Sequence, residues 1–200
     1  IMNGVSERAM YKSSLTLALF EDSGWYAVDY TRAERLPWGN GEGCLFVTRK
    51  CNQWSNRYFC SNEAEQGCTS DMRFGAQCTA STDAISRPSQ FQYFSTPFKG
   101  GTSSISDYCP YYQGYTNRDC FDASTVQFFY YGERAGSGAR CFKGTYQLRS
   151  VSATPRIHSG CLQATCDALT NSITVTLAST PPTVVRCPRA GGDVDLGALT

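Results

Sequence analysis

Eleven cysteines, spread from Cys44 to Cys187, constrain this chain more than any other feature. In the cytosol, glutathione and thioredoxin would keep so many thiols reduced and open to oxidation, so the count points to an oxidising compartment and a fold stapled by disulfides. Metal binding is the other use of clustered cysteines, and the spacing speaks against it. No CxxC pair occurs, the closest spacing is Cys161 to Cys166, and His158 is the single histidine. The odd number leaves a cysteine for a free thiol, an intermolecular bridge or a partner outside this sequence.

The chain has 200 residues, enough for one substantial domain or for a small domain attached to a larger neighbour. Its net charge is +1, with Lys and Arg scattered singly among Asp and Glu, so no basic stripe exists to neutralise phosphates and no nucleic acid is expected as a partner. The longest apolar stretch, around Leu15 to Phe20, falls far short of the ~18 residues a membrane-spanning helix needs. No signal peptide, transmembrane helix or terminal lipid signal is expected within it. No Asn-x-Ser/Thr acceptor for N-glycosylation is present.

The pattern reads as α+β, mostly loops and short antiparallel strands. Ile1 to Gly4 opens with a turn signal, Ser13 or Ser14 offers a helix cap, and Leu15, Ala18 and Leu19 fit one helical face that ends at Gly24. This predicts a short, largely buried helix, the only one in the chain. A turn-rich stretch, Pro37 to Gly41, then divides the chain into residues 1–36 and a cysteine-rich part, residues 37–200. Strands are expected at Leu45 to Val47, Val126 to Tyr131 and Ile173 to Leu177, the last with a period of two, and exposed loops at Gly132 to Gly138 and Thr180 to Thr183.

Few side chains outside the cysteines suggest chemistry. His158, beside Ser159 and Gly160 with no paired ligand nearby, reads as a solvated loop residue, because a catalytic zinc usually takes three protein ligands. Glu21 and Asp22 are adjacent on the expected helix, so they point in different directions and cannot flank one substrate bond. Tyr108, Tyr111, Tyr112 and Tyr115, with Phe128 to Tyr131, are suited to stacking on a sugar or a protein ligand, although packing between disulfide loops is the stronger reading.

Taken in order, Met2-Asn3-Gly4, the run Leu15 to Tyr26, Pro37-Trp38-Gly39 and Gly43-Cys44 closely resemble the leishmanolysin family of surface metalloproteases. The resemblance continues through Phe59-Cys60, Arg73 to Cys78, Gln92-Tyr93-Phe94, Asp107-Tyr108-Cys109-Pro110, Ala139-Arg140-Cys141 and Cys161 to Cys166, to about Cys187-Pro188.

That resemblance implies a metzincin: a zinc-dependent endopeptidase in which HExxH and a later third histidine bind the metal and the glutamate acts as general base on metal-bound water. None of those four residues is in this chain, so the zinc ligands would lie upstream and the fragment alone would be inactive. Residues 1–36 then correspond to the end of the catalytic domain. Met2 takes the place of the Met-turn residue beneath the zinc-binding imidazoles, and Gly4, Val5 and Ser6 the place of a substrate-pocket wall. Residues 37–200 correspond to the cysteine-rich C-terminal domain. The family pattern implies the disulfides Cys51–Cys109, Cys60–Cys78, Cys68–Cys141 and Cys120–Cys161, and a bridge from Cys44 to a cysteine upstream. For Cys166 and Cys187 two alternatives stand: a bridge to each other, or an altered or truncated C-terminus. The implied location is the cell surface or the secreted fraction, with protein or peptide substrates, host surface proteins as further partners, and membrane attachment through an anchor not seen in this chain. The competing reading is a non-catalytic, cysteine-rich surface adhesin or a degenerate family member.

Overall fold

A computed structural model describes residues 10–54, 57–125, 132–146, 156–179 and 181–188. The expected strand at Val126 to Tyr131 lies outside these residues.

Helix α1 spans Ser14–Asp22. The Ser13 hydroxyl caps it by accepting from the Thr16 amide, and Gly24 follows it at φ +72°, its N–H bonded to the Glu21 carbonyl, so the chain leaves the helix through a left-handed turn that glycine adopts without strain. The helix is not buried. None of its residues is buried, and Leu15 and Leu19 are 73% and 71% exposed. The described residues cover its apolar side only in part, with Leu17 and Ala18 half-buried and the Phe20 ring edge-on to Tyr26 at 5.3 Å, and nine residues are too few for a helix to be stable in water on propensity alone.

A second helix, α2 (Leu45–Thr48), replaces the strand expected there. Three apolar residues fit either period. The turn before them decides the matter: Gly39 and Gly43 have φ of +69° and +71°, Phe46 N–H bonds to the Gly43 carbonyl, and the Phe46 ring is held among Trp38, Trp54 and Tyr58.

The rest is short antiparallel sheet. Strands β1 (Gln66–Cys68), β2 (Phe74–Cys78) and β5 (Tyr112–Asp119) form one sheet in the order β1-β2-β5. Strands β3 (Ala80–Thr82) and β4 (Lys99–Gly101) form a two-stranded ribbon. Strands β6 (Ala139–Tyr146), β7 (Arg156–Asp167), β8 (Ser172–Leu177) and β9 (Thr183–Pro188) form a four-stranded meander. The architecture is the α+β, disulfide-rich one that the sequence suggests.

Register explains how the two larger sheets are held together. Cys141 and Cys161 are direct partners across β6 and β7, so their side chains leave the same face. Cys141 is bonded to Cys68 on β1, and Cys161 to Cys120 just after β5. The two bridges staple one sheet to the other over a small core of Cys120, Ala135, Ala139, Cys141 and Cys161. Disulfides Cys60–Cys78 and Cys51–Cys109 tie the loops before β1 to β2 and to the segment before β5. Close approach makes glycine necessary at Gly67, where a Cβ would lie 2.6 Å from the Tyr112 ring.

Two further expectations are corrected. Gly132 to Gly138 is not an exposed loop: Glu133 and Ala135 are buried, and Arg134 and Gly136 donate backbone hydrogen bonds to the carbonyls of Cys161 and Cys120. His158 is not in a loop either; it lies in β7, partly buried, with Nδ1 2.5 Å from Gln66 Oε1. Pro181 and Pro182 are exposed.

Candidate functional site

A cleft of about 710 Å³ runs between the segment Leu36 to Trp38, the chain around the Cys51–Cys109 bridge, and the loops near Phe91 and Asp107. Its floor is an aromatic cluster. Trp38 meets Phe46, Tyr58 and Phe59 edge-on, with ring centroids 6.0, 5.3 and 5.5 Å apart, the T-shaped geometry that ring quadrupoles favour. Tyr58 is fully buried and donates to Glu42 Oε1 at 2.9 Å; burial, and then that carboxylate, pushes its hydroxyl pKa up.

Tyr11, from the segment before α1, reaches the cleft and donates to Asp71 Oδ2 at 2.6 Å. Asp71 is also the hub of the β1–β2 turn, where its Oδ1 accepts from the Thr69 hydroxyl and the Arg73 amide. Burial, reinforced by Asp71, keeps Tyr11 protonated far into the alkaline range. Asp107 also lines the cleft, and it and the following Tyr108 both adopt positive φ, 52° and 57°, a pair of left-handed non-glycine residues.

Two polar clusters lie on the sheets, the first joined to the cleft through its lining residue Tyr112. Glu65 accepts from the Tyr112 hydroxyl and, at 2.8 Å, from Lys143. Burial pushes the Glu65 carboxyl up, but the bonds from Lys143, Tyr112 and the Ser61 amide outweigh it and hold the group below the usual carboxylate range. In the second, the fully buried side chain of Glu133 pairs with Arg118 and accepts from the Cys161 amide at 2.6 Å. These partners are 15 to 28 residues apart in the chain, and nothing in the local pattern of Gly132 to Gly138 marks Glu133. Tyr11 and Asp71, 60 residues apart, are equally invisible to spacing.

Met2, Gly4, Val5 and Ser6 lie outside the described residues. Cys44 is exposed and unbonded. Cys166 and Cys187 do not bridge. Ile173 on β8 is the partner of both, so the two cysteines sit two strands apart, at about 10 Å, beyond the ~7 Å Cα separation a disulfide can span. Among the described residues no group of three His, Cys, Asp or Glu could hold a metal. No helix among them is long and apolar enough to cross a membrane.

Comparison with known proteins settles the family. The model of the leishmanolysin peptidase family matches residues 1–200. The chain belongs to the leishmanolysin family. It is 31% identical over 175 residues to leishmanolysin of Leishmania donovani, covering 84% of this chain and 30% of that protein. A leishmanolysin homolog of Crithidia fasciculata is 33% identical over 177 residues, covering 84% of this chain and 27% of that protein. The leishmanolysin-like peptidase of Drosophila melanogaster is 31% identical over 205 residues, at 82% and 30%. The chain therefore spans less than a third of the length of the curated relatives it matches.

Proposed function

We propose that this chain is the C-terminal part of a zinc-dependent metalloendopeptidase that hydrolyses protein or peptide substrates at the cell surface or in the secreted fraction, and that by itself it is inactive. The observation that carries this reading is the uncovered side of α1. Leu15, Leu19 and Phe20 lie exposed on a nine-residue helix that matches the family, and such a helix needs a packing partner. The relatives are more than three times as long as the matched region, so a catalytic part supplies that partner. Residues 1–36 then close the catalytic domain, with Met2 beneath the metal-binding side chains and Gly4, Val5 and Ser6 along the substrate cleft, while residues 37–200 form the cysteine-rich buttress. Zinc would be held by residues outside this chain, and exposed Cys44 would bridge to a cysteine there.

The test compares the 200-residue chain with the polypeptide translated from its whole reading frame. Both are assayed for bound zinc by elemental analysis and for hydrolysis of a denatured protein substrate. The longer polypeptide is expected to carry one zinc and to lose activity to a chelator, and the short chain to do neither. A longer polypeptide that binds no zinc and cleaves nothing would replace this reading with that of a non-catalytic surface protein.

A further inference from the structure

Peptide hydrolysis gives the turn from Gly39 to Glu42 no task, yet this turn carries reactive groups of its own. We propose that Asn40 is a modification site at which the chain deamidates itself: the backbone nitrogen of Gly41 displaces the side-chain amide of Asn40, and water opens the resulting succinimide to an aspartyl or isoaspartyl residue.

The reaction needs an exposed asparagine, an unhindered nitrogen after it and no bond that ties that nitrogen up. Asn40 meets each need. Among the described asparagines it alone precedes glycine; Asn52, Asn62, Asn117 and Asn171 precede Gln53, Glu63, Arg118 and Ser172, whose side chains stand beside the nitrogen that would attack. Asn40 is exposed. Gly41 has a φ of +81°, and nothing lies within 4 Å of the place a Cβ would take there. It is the third residue of a turn closed by the Glu42 N–H, bonded to the Gly39 carbonyl at 3.2 Å. The turn therefore uses the Glu42 amide and leaves the one before it: the Gly41 N–H makes no hydrogen bond among the described residues, so none has to break before attack.

A cation stands on the atom that takes up charge. Arg35 Nη2 donates to Asn40 Oδ1 at 3.4 Å. As the nitrogen adds to Cγ, negative charge develops on that oxygen, and a guanidinium beside it lowers the barrier as an oxyanion donor does. The bond from Gly41 N to Cγ forms, the Gly41 proton passes to hydroxide, the Cγ–Nδ2 bond breaks and ammonia leaves. Water then cleaves one of the imide C–N bonds. Opening at Cγ leaves an aspartyl residue; opening at the main-chain carbonyl carbon leaves an isoaspartyl residue, whose backbone runs through the side chain. The net change consumes water and releases ammonia. The new carboxylate lies beside Arg35, in a turn that also seats Gly39 so close to the Phe46 ring that a Cβ there would stand 2.5 Å from it.

The experiment ages the 200-residue chain at physiological temperature, at neutral and at mildly alkaline pH, and follows the tryptic peptide that contains Asn40 by mass spectrometry. A fresh sample digested alongside subtracts deamidation during handling. The amide is expected to convert to acid faster at the higher pH, and no more slowly in the folded chain than in the same chain reduced and unfolded in guanidinium. Arg35→Gln should slow conversion in the folded chain about threefold, the rate equivalent of one surface charge interaction, and leave the unfolded rate unchanged, with Arg35→Lys restoring part of the loss. Asn40→Gln, which has to close a larger ring, should remove the mass gain from this peptide. The proposal is overturned if Asn40 stays an amide in the folded chain while it converts in the unfolded one, or if folded Arg35→Gln converts as fast as the parent. Because neither zinc nor peptide hydrolysis enters the assay, its outcome is separate from that of the peptidase test.

Discussion

The buried pair Glu133–Arg118 offers the sharpest test of how the two larger sheets are joined. Glu133 has a fully buried side chain, Arg118 on β5 is 11% exposed at its side chain, and the Cys161 amide on β7 donates to the same carboxylate oxygen. Replacing Glu133 with Ala removes two things at once. The Arg118 guanidinium, 11% exposed at its side chain, loses its carboxylate partner while keeping the Ser159 carbonyl at 3.0 Å, and breaking such a pair costs about 3 to 5 kcal/mol. The Cys161 N–H also loses its acceptor, a loss of about 1 to 3 kcal/mol in isolation. The two losses share one site and do not add fully, so Glu133→Ala should cost about 4 to 5 kcal/mol. Glu133→Gln keeps an oxygen for Cys161 and the shape of the side chain, and should cost about 2 kcal/mol, near the value of a charged hydrogen bond. The double replacement Arg118→Met with Glu133→Met removes both charges and should be milder than Glu133→Ala alone. Equilibrium unfolding in guanidinium, with the disulfides intact, gives each value. The reasoning fails if Glu133→Ala costs less than 1 kcal/mol, or if the double variant is the worst of the three.

Other outcomes follow from the same geometry. Removing Cys68–Cys141, whose cysteines are 73 residues apart, should destabilise more than removing Cys60–Cys78, 18 apart, by about 4 against about 3 kcal/mol from loop entropy, as measured by thermal unfolding of the paired Cys→Ser variants. Gly67→Ala places a methyl against the Tyr112 ring and should cost about 1 to 3 kcal/mol by denaturant unfolding. Glu65 has its folded-state pKa lowered, so its contribution is present above the unfolded value of about 4.3 and is lost as pH falls through the lower folded value. Glu65→Gln should therefore flatten stability against pH below about pH 4, and an unchanged acid limb would refute the assignment. Leu19→Glu should shift the melt of the 200-residue chain by no more than about 0.5 kcal/mol, because Leu19 is 71% exposed, yet destabilise the longer polypeptide by about 2 kcal/mol or more.

What the sequence made legible is what local chemistry controls. The Ser13 cap, the Gly24 ending and the alternation of Ile173 to Leu177 each follow from neighbouring residues, and each appears in the structure. The helix at Leu45 was hidden because three apolar residues have no period, and two positive-φ glycines, rather than propensity, decided it. Burial of α1 was misread because an apolar face shows only that a partner is wanted, not that this stretch of chain supplies one. Glu133 looked like part of a glycine-rich loop, since its partners Arg118 and Cys161 come from other strands. Spacing left the pairing of Cys166 and Cys187 open until register placed Ile173 between them. The cleft draws on residues from Tyr11 to Gly114, and no window of sequence holds enough of it to reveal a concavity; of the tyrosine run, Tyr111 and Tyr112 line it.

Sequencing the transcript 5′ of the Ile1 codon is the measurement to make first. If this chain belongs to a metallopeptidase whose metal ligands lie upstream, the transcript carries an open frame continuous with Ile1 that encodes HExxH, a later third histidine and a cysteine to pair with Cys44. A stop codon immediately upstream, or a continuous frame without HExxH, would contradict it and leave a disulfide-stapled, non-catalytic member of the family.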